Sequence, residues 1–262
     1  MPFATNQGVR IHYEVEGRGI PLVMQYGQYF PLEVWYYLNY VEALKDHCQL
    51  ILVDARGHGQ SDKPCDPEAY RLEHTVNDIL AVMDDLGLPK ANYMGYSSSG
   101  FLGFGIAKNA PERLHSIILG GTFPYADSNR DGSWDHAQIK SLEKQTAAEF
   151  TEGLEGFMRS LGFPVFTPDL KAGMLRHDLR ALIAWHRFNL EMIGYGFDEI
   201  VATIPVPCLI YAGDQAGEYP LAQKSAQEIP GAIFVTLPGG GHLEGGKWIE
   251  LLKPHVLKHL RG

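Results

Sequence analysis

A turn of small and hydroxyl-bearing residues, "YMGYSSSG", gives the strongest chemical signal in the sequence. It follows an apolar run and precedes a helical pattern. A serine on a sharp strand-to-helix turn is held in a strained backbone conformation, with its oxygen exposed above the sheet. Gly95 and Ser99, two residues before and after Ser97, are small enough to allow such a turn. The spacing therefore predicts Ser97 as a nucleophile.

The second signal is a histidine behind three glycines, His242 in "LPGGGHLEGG". The chain has 11 histidines, and a lone histidine is more often a surface residue or a hydrogen-bonded core residue. His242 stands out because it lies downstream of Ser97, on a loop at the carboxyl end of the last predicted strand. From there it can reach back to the serine and act as its general base.

Short runs rich in Val, Ile and Leu alternate with helical patterns, which is typical of a mostly parallel sheet with helices on both faces. The runs are "PLVMQYG", "QLILVDARG", "ANYMGYS", "HSIILGG", "PCLIYAGD" and "AIFVTLPGG". "PFAT" and "VRIHYEVEG" flank the turn "NQG" and predict a hairpin. The fold class is therefore α/β, and the carboxyl ends of the parallel strands carry the candidate loops.

A long insertion, roughly residues 122–206, breaks the alternation of strands and helices. Its segments "IKSLEKQTAAEFTEGLEGFMRSLG" and "DLRALIAWHRFNLEMIGYG" have amphipathic helical patterns. They predict either a helical subdomain packed on the sheet or a lid that lines a pocket, and the two are compatible. We expect one domain over residues 1–262, with this insertion as its helical cap.

Composition excludes several classes of partner and cofactor. The 262 residues include 22 basic and 31 acidic side chains, a net charge of about −9, so neither nucleic acid nor an anionic membrane is an expected partner. Three cysteines without C-x-x-C spacing indicate neither disulfides nor zinc. No phosphate-binding glycine motif or metal-ligand cluster implies a cofactor. Without an apolar leader, the protein is expected to be cytoplasmic.

Four features together resemble the α/β-hydrolase superfamily, in particular its single-domain esterases, lactonases and carbon–carbon hydrolases: "DARGHGQSDKP", "GYSSSG", the final "GGGH" and the helical insertion. The resemblance implies an α/β-hydrolase fold with a helical cap. It makes Ser97 the nucleophile and His242 the base. It also implies that the backbone N–H groups of Ser98 and Gln28 bind the oxyanion, each contributing about 3 kcal/mol to transition-state stabilisation.

Three positions depart from the family pattern. Tyr26 stands where the family usually has the histidine of a His-Gly pair, and Ser99 replaces the second glycine of the serine turn. Ala216 stands three residues after Gly213, where the catalytic acid usually lies. This last departure matters most, because neutralising the acid of a serine protease triad costs about 10⁴ in rate.

Three carboxylates are candidates for the missing acid. Asp214 lies on the same loop "AGDQAGEYP" and is our first choice, Glu218 lies four residues further on, and Asp127 follows the preceding strand. A weakened or repurposed site, with Ala216 either natural or introduced, stays open at this point.

Aromatic residues crowd the segment "QYGQYFPLEVWYYLNY", directly after the expected oxyanion loop. They either pack against the cap or form an aromatic wall for an apolar substrate. The second interpretation makes Tyr26, Tyr29 and Trp35 substrate-binding candidates, with Tyr26 and Gln28 supplying polar contacts.

Three functional hypotheses follow. The first is a serine hydrolase of an ester, lactone or thioester with an apolar or aromatic group, acting through an acyl-enzyme. The second is a cofactor-free lyase, isomerase or cyclase in which Ser97 and His242 act as acid and base. The third is a non-catalytic small-molecule binder. In each case the partner is a small apolar or aromatic molecule, and a homodimer stays open.

Overall fold

The computed structural model describes residues 2–126, 131–243 and 247–262. Its strands are β1 (Phe3–Asn6), β2 (Val9–Gly17), β3 (Ile20–Gln25), β4 (Cys48–Val53), β5 (Ala91–Tyr96), β6 (Leu114–Gly120), β7 (Cys208–Gly213) and β8 (Ile233–Leu237). Its α-helices are α1 (Val34–Tyr37), α2 (Tyr40–Leu44), α3 (Leu72–Asp85), α4 (Ser98–Asn109), α5 (Ser133–Leu142), α6 (Ala147–Ser160), α7 (Pro168–Leu175), α8 (Leu179–Glu191), α9 (Tyr219–Glu228) and α10 (Ile249–Arg261).

The strands form one sheet in the order β1-β2-β4-β3-β5-β6-β7-β8. The β1–β2 hairpin is antiparallel, as predicted, and β2 pairs antiparallel with β4. All remaining pairs are parallel. Gln25 at the end of β3 lies opposite Gly95 near the end of β5, so the loop after β3 and the serine turn leave the sheet side by side.

Two apolar layers sandwich the sheet. Helices α3, α4 and α9 contribute to one buried cluster, and α2, α10 and parts of the cap contribute to the other. The strands β5 and β7 are buried along their whole length, since both faces are covered. The α/β class expected from the sequence is confirmed.

In the described residues between β6 and β7, where the insertion was predicted, the chain forms the four α-helices α5 to α8. The amphipathic helical pattern of the segment "IKSLEKQTAAEFTEGLEGFMRSLG" is interrupted in the structure. The structure divides it between α5 and α6, because Thr146 caps α6: its side chain accepts the N–H of Glu149, while the Glu149 carboxylate accepts the N–H of Thr146.

Within the described ranges, no helix has the length and apolar character needed to cross a bilayer.

Candidate active site

Ser97 occupies a strained turn between β5 and α4. Its φ of 56° and ψ of −121° lie outside the regions that side-chain-bearing residues normally adopt. Two glycines make room for the turn. A Cβ on Gly95 would lie 2.1 Å from the carbonyl oxygen of Ser99, and one on Gly27 would lie 2.7 Å from the Cβ of Ser97. The absence of side chains at both positions lets the serine approach the loop after β3.

Ser97, His242 and Glu218 form a hydrogen-bonded relay. Ser97 Oγ lies 2.9 Å from His242 Nε2, and His242 Nδ1 lies 2.6 Å from Glu218 Oε1. A neutral imidazole that donates Nδ1–H to the carboxylate presents the Nε2 lone pair to the serine hydroxyl. Burial of Glu218 opposes its ionisation, but the hydrogen bond from His242, together with the positive charge of this ring when it is protonated, outweighs burial and holds the pKa of this carboxyl below its usual value.

The expectation that Asp214 faces His242 is wrong. Asp214 Oδ1 accepts hydrogen bonds from the N–H of Gly239, at 2.8 Å, and from the amide of Gln215, at 3.0 Å. The N–H of Ala216 donates to the carbonyl of Gly213, so a tight turn directly follows β7. Glu218 stands after this turn, at the start of α9, and its longer side chain reaches the histidine.

Of the other acid-related positions, Ala216 is buried and carries no polar group. Asp127 lies outside the described residues.

The two residues expected to supply oxyanion donors, Gln28 and Ser98, both lie beside Ser97. Ser98 is the first residue of α4, so its N–H is one of the four that have no acceptor within the helix. The N–H of Gln28 donates to the side-chain oxygen of Ser98 at 3.1 Å. Gln28 and Ser98 both line the cavity that contains Ser97 and His242. The structure thus brings together the four residues that the sequence assigned to nucleophile, base and oxyanion donors.

Ser99 shows why a serine is accepted where the family has glycine. Its side chain is buried and donates a hydrogen bond to the carbonyl of Tyr26 at 2.6 Å. This bond ties the first turn of α4 to the residue that follows β3, so the substitution adds a link between the two loops of the site.

Two of the three aromatic candidates for substrate binding, Tyr29 and Trp35, lie away from the cavity. The Tyr26 ring stacks on Tyr96 at 5.1 Å and packs edge-on against Trp35, in the core beneath the site. Trp35 is fully buried and does not line the cavity, because α1 turns it inward. Tyr29 is also absent from the cavity lining, and its hydroxyl contacts His186 of the cap. Tyr26 is among the residues that line the cavity, so its contact with substrate stays a prediction, whereas the geometry does not support side-chain contacts to substrate from Tyr29 and Trp35.

Comparison with known proteins decides the family. A model described as "alpha/beta hydrolase fold" matches residues 21–183. The chain belongs to the α/β-hydrolase fold family.

Individual relatives agree with this membership. The chain is 36% identical over 119 residues to a cis-3-alkyl-4-alkyloxetan-2-one decarboxylase of Shewanella oneidensis, and 28% identical over 118 residues to a 3-oxoadipate enol-lactonase of Acinetobacter baylyi. Each match covers 45% of this chain, and 37% and 43% of the respective relatives. A crystal structure of a hydrolase from Pseudomonas aeruginosa superposes with a TM-score of 0.83 at 23% identity, covering 100% of this chain and 98% of the other.

The cavity of this α/β-hydrolase has a volume of about 430 Å³ and opens above Ser97. Large apolar side chains from the cap line its far wall: Trp134, Trp185, Phe188, Met192 and Tyr195. Most of these residues could not be assigned to the cavity from the sequence. Trp185, Phe188 and Met192 lie at spacings of three and four residues on and after α8, and this helical spacing is the signal that identifies one shared face.

No group of three or more His, Cys, Asp or Glu residues is placed to hold a metal ion in the part of the chain that the structure describes.

Proposed function

We propose that this α/β-hydrolase cleaves an ester, lactone or thioester with a bulky apolar or aromatic group through an acyl-enzyme on Ser97. One observation carries the proposal: the hydrogen-bonded series Ser97, His242 and Glu218 opens into an aromatic-walled cavity. Two relatives add support, since an oxetan-2-one and an enol-lactone are both cyclic esters.

The proposed acylation starts with attack of Ser97 Oγ on the substrate carbonyl carbon. The serine proton passes to His242 Nε2, and Glu218 stabilises the resulting imidazolium through Nδ1–H. The imidazolium then gives the proton to the leaving oxygen or sulfur as its bond to carbon breaks. A water molecule repeats the sequence on the acyl-enzyme: it loses a proton to His242, the acid is released, and Ser97 recovers its hydrogen.

The negative oxygen of each tetrahedral intermediate is held by the N–H groups of Gln28 and Ser98. Without substrate, the side-chain oxygen of Ser98 accepts the Gln28 N–H. Rotation of this hydroxyl about χ1 frees the donor for the carbonyl oxygen of a substrate. Removing one donor of this type costs about 10²–10³ in kcat.

The test is covalent labelling. An alkyl fluorophosphonate should add its mass once to the wild-type chain and not to Ser97→Ala. Ser98→Ala, which keeps the neighbouring backbone N–H, is the matched control and should still be labelled. Peptide mapping should place the adduct on Ser97. Turnover of a 4-nitrophenyl ester without any labelling would overturn the acyl-enzyme.

A second candidate is cofactor-free lyase chemistry at the same residues, and the decarboxylase relative favours it. In that case His242 and Ser97 transfer protons and no acyl group reaches Ser97. A second mass measurement separates the two candidates, because an acyl intermediate trapped from a slow ester substrate belongs to the hydrolase alone.

A further inference from the structure

A second carboxylate–histidine pair lies in the cap, close to the candidate active site. His186 on α8 and Asp135 on α5 are 0% and 1% exposed, and His186 Nδ1 lies 2.9 Å from Asp135 Oδ1. Burial of a carboxylate is costly unless it is paired. The pairing directs Nδ1–H toward Asp135, and this leaves Nε2 of a neutral imidazole as an acceptor.

The acceptor side of His186 faces the loop after β3. Its Nε2 lies 2.9 Å from the side-chain nitrogen of Gln28 and 2.8 Å from the hydroxyl of Tyr29. The Tyr29 hydroxyl also lies 3.2 Å from the carbonyl oxygen of the Gln138 side chain on α5. Two cap residues, His186 and Gln138, therefore hold two consecutive residues of this loop, and Asp135 fixes the ring of His186.

The loop needs such support, because Tyr29 has a φ of 75°. The left-handed region costs a residue with a Cβ about 1–2 kcal/mol. The core holds this turn through two backbone groups: the Tyr29 N–H donates to His58 Nε2 at 3.1 Å, and the Gln28 N–H donates to Ser98 Oγ at 3.1 Å. The cap holds the side chains of the same two residues through His186.

Gln28 links this network to the chemistry. Its side chain contacts His186, and its backbone N–H is the oxyanion donor in the function proposed above. His186 itself is not among the cavity-lining residues. It therefore acts on the reacting atoms only through the position of Gln28.

We propose that His186, fixed by Asp135, is a positioning residue that orients the Gln28 N–H toward the oxyanion and makes turnover depend on the docked cap. The proposal rests on the acyl-enzyme function. A donor that is displaced by a fraction of an ångström loses transition-state stabilisation while the cavity that binds the substrate is unchanged.

The test compares His186→Leu with His136→Gln, a substitution of an exposed histidine on α5. With a 4-nitrophenyl ester, His186→Leu should lower kcat roughly 10- to 100-fold, the loss expected when a catalytic group is misplaced by about 1 Å. KM should change less than threefold. His136→Gln should retain wild-type values of both.

An aryl boronic acid, which forms a tetrahedral adduct with the serine, provides a readout that a purely structural role would not move. Its Ki should rise in His186→Leu by the same factor by which kcat/KM falls, while the Ki of the product acid stays the same. Equal weakening of both inhibitors, or kcat within threefold of wild type, would overturn the proposal.

Tyr29→Phe guards against a His186 variant that fails to fold, because it removes only one hydroxyl. It should lower kcat several-fold with an unchanged melting temperature, and an unchanged kcat would contradict the proposal.

Fluorophosphonate labelling of the same preparations distinguishes failure of the acyl-enzyme function from failure of the role of His186. If wild type is labelled at Ser97 but the variants keep their kcat, only the role of His186 fails. If wild type is not labelled, the acyl-enzyme fails and the role of His186 fails with it.

Discussion

The carboxylate that contacts His242 belongs to Glu218, whereas position 216, where the family pattern places the acid, is an alanine. Glu218 is the residue directly before α9, and its carboxylate oxygen lies 2.6 Å from His242 Nδ1. A glutamate has one methylene more than an aspartate, and this length lets the acid stand two residues beyond Ala216. The side chain is largely enclosed, so its interaction with the histidine is weakly screened.

Replacing this acid provides the sharpest test at the residue scale. Glu218→Gln should lower kcat for ester hydrolysis by about 10³- to 10⁴-fold, because an amide neither stabilises the imidazolium nor enforces the Nδ1–H tautomer. Asp214→Asn is the matched control on the same loop. It should change kcat less than threefold, since among the described residues the Asp214 side chain contacts Gly239 and Gln215 and not His242. If steady-state assays instead show the larger loss of kcat for Asp214→Asn, Asp214 and not Glu218 serves as the acid.

Local chemistry explains which site residues the sequence could identify. Ser97 was predictable because its turn requires small neighbours, and the sequence has small residues at both positions, Gly95 and Ser99. His242 was predictable from its glycine-rich loop. The acid was not, because the direction of Glu218 depends on the turn after β7 and on the start of α9, and neither leaves a pattern in the chain.

For strands and helices too, the sequence predicts features that depend on local pattern and does not predict those that depend on long-range contacts. Buried parallel strands appear as continuous apolar runs, so their existence was predictable. The order β4-β3-β5 depends on pairing between distant segments and was not. The cap helices were visible as amphipathic patterns, but the faces that line the cavity depend on packing. The contact of His186 with Gln28 joins residues 158 positions apart, and no spacing rule reports such a pair.

The cap should determine substrate preference through α8. Trp185 lines the cavity, so Trp185→Ala should lower kcat/KM for a phenylacetyl ester about fivefold or more and leave an acetyl ester nearly unchanged. Loss of about 40 Å² of apolar contact corresponds to roughly 1 kcal/mol. Arg187→Ala, an exposed neighbour on the same helix, is the control. The check is the ratio of kcat/KM for the two esters, and an equal fall for both would show that Trp185 does not contact the acyl group.

On the scale of the whole molecule, His177 of the cap and His58 of the core are enclosed side by side where the cap meets the core. His177, after α7, is packed edge-on against His58 at 5.5 Å and against Phe150 at 6.1 Å. Burial, reinforced by repulsion from His58, lowers the pKa of His177 to about 3. Burial also lowers the pKa of His58, which keeps its neutral ring able to accept the Tyr29 N–H. Burial at this junction between cap and core therefore favours the neutral forms of His58 and His177.

This junction predicts the acid sensitivity of the fold. Above a pH of about 6.5, His177 is neutral in both the folded and the unfolded chain, so it adds no pH dependence. Below that pH, His177 binds a proton in the unfolded chain but stays neutral in the folded chain. The free energy of unfolding should then fall by up to about 1.4 kcal/mol per pH unit until the pH approaches about 3.

His177→Asn removes the titration and keeps a donor near the position of Nδ1, which donates to the carbonyl of Met174. Wild type should lose about 2 kcal/mol more than this variant between pH 7 and pH 5, measured by urea unfolding at each pH, because the unfolded histidine takes up its proton over that interval. The comparison uses the slope with pH, so any constant loss of stability in the variant cancels. His115→Gln, at an exposed histidine, should keep the wild-type slope. Parallel curves for wild type and His177→Asn would show that the enclosed ring is protonated in the folded chain, and that the cap and core meet on a charged rather than a neutral histidine.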